Sequence, residues 1–145
     1  MFKMRILIAV IMLLICSIED IRTHKVNIIL PMTVGLFSLL MCDSLIMCFI
    51  SLIPGLMLII TAKYIKGIGE GDGYVILSLG MIAGIDDTLT TLFLSFLFAS
   101  FYAGCLAIVK KSLKNKEFAF VPFILAGYLI CVLEKIYIKL ALYTK

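Results

Sequence analysis

The chain is short of charge, has a single histidine and contains no Cys-x-x-Cys pair. Only 15% of its 145 residues are charged, against about a quarter in an ordinary soluble domain. The lone histidine, His24, stands in a polar stretch with no second imidazole anywhere, which argues against a histidine-based metal centre. Five cysteines (Cys16, Cys42, Cys48, Cys105 and Cys131) lie in or at the ends of apolar runs. They lack the spacing of a zinc site or a disulfide framework and read as small packing residues. Ten-residue stretches of alternating polarity, the mark of a transmembrane β-barrel, are absent as well.

Apolar length takes the place of these features. The sequence is 63% hydrophobic and its mean hydropathy is +1.20. At roughly 20 residues per spanning helix, six spans consume about 120 residues and leave no room for a soluble domain. The expected fold class is all-α: a polytopic helical membrane protein with about six transmembrane helices, forming one domain over residues 1–145. The net charge of +4 is scattered among apolar runs and builds no basic face for nucleic acid.

The expected spans are Ile6 to Ile18, Val26 to Cys42, Ser44 to Ile65, Tyr74 to Ile85, Thr88 to Val109 and Phe118 to Leu133, with Glu134 to Lys145 extending the last. Pro31 with Gly35, in the second, mark an expected kink, and the third carries Pro54 and Gly55. Lys3 and Arg5 before the first run have the layout of a secretory signal, but no small residue suited to cleavage follows, so the run is kept as a span. The breaks near residues 22, 65 and 113 hold Arg22, Lys25, Lys63, Lys66, Lys110, Lys111, Lys114 and Lys116, whereas those near 43 and 86 hold only aspartates. The positive-inside rule assigns the first set to the cytoplasm.

Acidic residues beside spans are costly unless paired, hydrated or functional. Asp43, Asp86, Asp87, Glu117 and Glu134 read as solvated. Glu19 with Asp20 at the end of the first span, and Glu70 with Asp72 before the fourth, fall on the same cytoplasmic side. Two carboxylates in a partly dry site share one proton, so that one acts as acid while the other acts as base. The plainer alternative is a set of loop acids neutralised by Arg22, Lys25 and Lys66. Gly67, Gly69, Gly71 and Gly73 weigh against it, because such a run is entropically costly as mere connection. It is expected to be irregular backbone lining a watery cavity. A phosphate-binding loop is disfavoured, since the stretch lacks the Gly-Lys-Ser/Thr ending. Helix dipoles suggest that Asp20, at a C-terminal pole, keeps the proton while Asp72, at an N-terminal pole, ionises.

Three separated pieces resemble the type IV prepilin leader peptidases, membrane aspartic proteases with a Gly-x-Gly-Asp signature. They are Asp20-Ile21-Arg22 followed by Val26; Gly67-Ile68-Gly69-Glu70-Gly71-Asp72 with Leu77, Gly80 and Gly84 beyond; and Phe120-Val121-Pro122-Phe123 with Gly127 beyond. The resemblance implies Asp20 and Asp72 as the catalytic pair, with Arg22, Gly67, Gly69, Glu70, Gly71 and Pro122 shaping the site or binding substrate. It further implies an enzyme of the cytoplasmic (inner) membrane, needing no metal or organic cofactor, that removes the short basic leader of prepilin-like substrates. Asn27 departs from the family's usual Pro, and Tyr74 from its usual Lys. There is no room for the cysteine-bearing insertion of the larger, methylating members, so cleavage without N-methylation is expected. Two alternatives stay open: a non-catalytic subunit or small ion- or proton-coupled transporter, and the intramembrane proteases that share Gly-x-Gly-Asp, which carry Tyr-Asp where this chain has Glu19-Asp20.

Overall fold

A computed structural model of the chain describes residues 2–23, 26–39, 45–64, 69–110 and 119–143. Gly67, His24, Lys25, Cys42, Asp43, Lys66, Lys111, Lys114, Lys116 and Glu117 lie outside them. The described residues form seven helices and no strand: α1 (Phe2–Thr23), α2 (Ile29–Leu39), α3 (Leu45–Ser51), α4 (Ile53–Tyr64), α5 (Glu70–Ala83), α6 (Ile85–Lys110) and α7 (Val121–Tyr143). The all-α expectation holds.

Each proline sits in the first turn of a helix: Pro31 in α2, Pro54 in α4 and Pro122 in α7. There its missing N–H would have no intrahelical partner in any case. The expected kink at Pro31 is therefore not found, because the helix starts beside it. Pro54 instead divides the third apolar run at Leu52, and α3 and α4 follow each other as an interrupted rod over Ile46–Tyr64. Gly84, with φ of 90°, closes α5 by donating its N–H to Gly80 O at 2.9 Å, and its own carbonyl accepts from the Thr88 amide and hydroxyl at the start of α6. A side chain is strained at that φ, which explains glycine here.

Three helical stretches are long and apolar enough to cross a membrane: Ile46–Tyr64, Ile85–Leu106 and Val121–Leu142. The 22 residues of α1 carry charges at both ends, α2 has 11 residues, and α5 has 14, about 21 Å at 1.5 Å per residue. The outer surface is apolar, with Leu7, Phe49, Phe93, Phe101 and Leu133 all exposed, as suits a lipid-facing protein.

α5 is the centre. Val75 through Gly80 and Ile82 are buried, and the core gathers Val75, Ile76, Leu79 and Ile82 with Ala9, Met12, Leu13 and Cys16 of α1 and Val121, Ile124 and Tyr128 of α7. Lipid competes with apolar side chains as a solvent, so small residues that let backbones approach do much of the packing. A Cβ on Gly55 would stand 2.5 Å from Leu77 Cα, one on Gly73 would stand 2.5 Å from Ile59 Cγ1, and one on Gly80 would run into the Ser51 carbonyl. These contacts set α4 antiparallel to α5. Ser78 against Met12, and the electrostatic coupling of Asp72 with Asp20, set α1 antiparallel as well. Gly71 beside Val26 and Gly35 beside Ser78 set α2 parallel. The end of α1 and the starts of α2, α5 and α7 therefore meet at one end of the bundle.

Candidate active site

Asp20 and Asp72 come together at that end. Asp20 lies in the last turn of α1 and is 5% exposed; Asp72 lies in the first turn of α5 and is 9% exposed. Helical geometry runs further than the sequence suggests on both sides. Glu19, Asp20 and Arg22 belong to α1 and not to a loop after it, and Glu70 to Gly73 form the opening turn of α5 and not an irregular cavity lining.

Gly69 is the residue before α5, extended at φ −70° and ψ 126°, and Asp72 N–H donates to its carbonyl at 3.2 Å. A Cβ on Gly69 would stand 3.1 Å from Asp72 Oδ2, so the missing side chain leaves room for the carboxylate to fold back over the helix start. A Cβ on Gly71 would stand 3.0 Å from Val26 Cβ. That glycine lets the segment between α1 and α2 lie across the opening turn of α5. Glu19 Oε2 accepts the Asn27 N–H at 3.2 Å, and Asn27 Oδ1 accepts the Ile29 N–H at 3.1 Å. Asn27 thus serves as a side-chain cap for α2. Sequence reading placed Glu19 in the acidic pair but not as this anchor.

Burial, and secondarily the charge of Asp20, push the Asp72 carboxyl up from 3.8 to about 7, while a backbone hydrogen bond at Gly69 pulls the other way. Asp20 has a partner that no local pattern reveals: its Oδ2 accepts the Val121 N–H at 2.9 Å. The carboxylate at the C-terminal pole of α1 is also at the N-terminal pole of α7, where negative charge is favoured. The expectation that Asp72 is the member that readily ionises is not met: its carboxyl is the one pushed toward the acid form, while Asp20 accepts a backbone amide.

Pro122 occupies the first turn of α7, flanked by rings that seat the helix on α6: Phe120 lies 5.3 Å from Phe96 and Phe123 lies 5.5 Å from Tyr102, centroid to centroid. Glu70 and Arg22 are exposed at the rim, and Arg22 makes no ion pair among the described residues. Gly67 lies outside them.

At the opposite end, Asp87 is not the solvated loop acid the sequence suggests. It sits in the first turn of α6, 13% exposed, and is ion-paired with Lys135 of α7. Asp86 beside it, also in that turn, is exposed, as is Glu134. Cys16, Cys48 and Cys131 are buried as expected, whereas Cys105 is exposed. Among the described residues no three His, Cys, Asp or Glu side chains stand together as a metal site.

No protein-family model, curated protein or solved structure matches the chain.

Proposed function

We propose that the chain is a membrane aspartic endopeptidase of the prepilin leader peptidase kind, working at the cytoplasmic face of the cell membrane on prepilin-like proteins. The observation that carries this proposal is the burial of Asp20 and Asp72, from separate helices, at one end of an apolar bundle. Six spans follow if α1, α2, the α3–α4 rod, α5, α6 and α7 each cross, with the α5 span beginning at Tyr74 and Asp72 in the turn before it at the membrane boundary.

Acting as base, Asp20 takes a proton from a water molecule as the water oxygen attacks the scissile carbonyl carbon, and the Asp72 proton passes to the carbonyl oxygen. Collapse of the tetrahedral intermediate breaks the C–N bond. The amine leaves with the proton held by Asp20, and Asp72 regains its own from the intermediate's hydroxyl. No metal or organic cofactor enters. The substrate's apolar helix lies along the lipid-facing surface while its basic leader reaches the rim, where Glu70 is exposed, so the bilayer aligns the bond.

A proton- or ion-coupled transporter would need buried acids in mid-span. Among the described residues Asp20, Asp72 and Asp87 each lie within a turn of a helix end, which favours hydrolysis. Co-expression with prepilins, read by the mass of the product's N-terminus, tests the proposal. Asp20→Asn and Asp72→Asn are each expected to abolish cleavage while Glu70→Gln keeps it. Retained cleavage in either aspartate variant would overturn the mechanism.

A further inference from the structure

α7 sends one amide of its first turn to another helix. The first N–H groups of a helix have no intrahelical acceptor, and here they can be followed one by one. Phe123 and Ile124 both donate to the Phe120 carbonyl, at 3.0 and 3.3 Å, Pro122 has no N–H, and the remaining Val121 N–H goes to Asp20. Val121 is fully buried, so water cannot replace that donor.

We infer that the backbone N–H of Val121 is a positioning group of the catalytic pair, fixing Oδ2 of Asp20 and stabilising its carboxylate form so that Oδ1 is the oxygen that takes the proton from water. The inference rests on the peptidase proposal and adds to it the element that selects the base. Hydrogen bonds from backbone amides favour a carboxylate over its acid, and charge-assisted ones are the stronger class. Among the described residues, the other ionisable groups near Asp20 do not supply this. On α1 they are Cys16, Glu19 and the exposed Arg22; α5 offers Glu70, Asp72 and Tyr74; α2 has none; and the first turn of α7 has none. Asp72 and Glu19 oppose a charge on Asp20 and Arg22 points to solvent at an exposed position, so among the described helices packed on α1 it is α7 that favours the charge. Pro122 has a defined part in this arrangement, since it brings no competing N–H beside Val121.

The test replaces the amide. Val121→Pro deletes the N–H at a position where proline suits a helix start, and Val121→Ala keeps it while trimming the side chain. Because Val121→Pro could disturb folding, a third variant carries α-hydroxyisovaleric acid at position 121, which exchanges N–H for an ester oxygen and retains the side chain. Each full-length protein in lipid nanodiscs is assayed for prepilin cleavage against pH. In parallel, carboxyl-stretch infrared difference spectra follow protonation of Asp20, the band being assigned with Asp20→Asn. The acidic limb of the profile is expected to move up by about one pH unit in the proline and ester variants, the alkaline limb to move less, and Val121→Ala to match the parent. The infrared band should appear at correspondingly higher pH. An unchanged limb and band in the ester variant would overturn the inference. A shifted band in proteins that cleave no prepilin would sustain the role of the amide and sink the peptidase proposal instead.

Discussion

Asp72 is held near neutrality chiefly by burial, and the sign of that effect reaches beyond catalysis. A carboxyl raised to about 7 from 3.8 binds more protons in the folded chain than in the unfolded one, so its contribution favours the fold fully below pH 4 and is lost as pH rises through 7. Asp72→Asn removes the cost of charging the site. It is expected to raise stability in detergent at pH 8 by on the order of 2–4 kcal/mol and to leave it unchanged at pH 4, as measured by thermal unfolding at both values. Cleavage by the parent is expected to fall as pH rises through about 7, where the acid of the pair loses its proton. Both members of the pair were legible in the sequence, because each is an acid at the edge of an apolar run on the same predicted side. Their settings were not, since the burial of Asp72 comes from tertiary packing and the amide that meets Asp20 is 101 residues away, on the backbone of Val121, whose side chain advertises nothing.

Helices here are joined by what is missing from their surfaces. Gly80→Ala drives a methyl into the Ser51 carbonyl and is expected to cost about 1–3 kcal/mol through a forced shift of α3 from α5. Gly104, also helical, has nothing within 4 Å of its Cβ position, so Gly104→Ala is expected to stabilise by about 0.5–1 kcal/mol. Unfolding of the two variants side by side checks the contrast. The sequence indicated where the apolar elements lie, and its last run does continue through Glu134 into α7. It misplaced the ends that matter most: polar residues 19 to 23 and glycines 71 and 73 look like breakers, yet α1 and α5 run through them. Packing against Val26 and Ile59 gives those glycines their use, and tertiary contact of that kind outweighs weak local propensity.

The whole bundle has two unlike ends. One gathers Asp20, Asp72, Arg22 and Lys63 at helix termini; the other holds Asp86, Asp87 and Lys135. Under the proposed six-span topology, single cysteines introduced as Arg22→Cys and Asp86→Cys in a cysteine-free chain are expected to react with a membrane-impermeant thiol reagent from opposite sides, both positions being exposed. Labelling of both from one side would invalidate the six-span arrangement. Hydropathy could foresee a membrane protein, since three stretches meet the length and apolarity of a span. It could not foresee that the most buried helix, α5, is also one of the shorter ones, because burial depends on neighbours that enclose it and not on its own composition.

The bond between Asp20 and Val121 joins the first helix to the seventh, and this imposes an order in time. A ribosome releases α1 long before α7, so throughout synthesis the growing chain holds its two acids without the amide that completes their setting. On the proposed peptidase function, proteolysis waits until the last helix docks. Residues 1–118 and 119–145 expressed as separate polypeptides are each expected to be inert and to recover cleavage when they assemble in the same membrane.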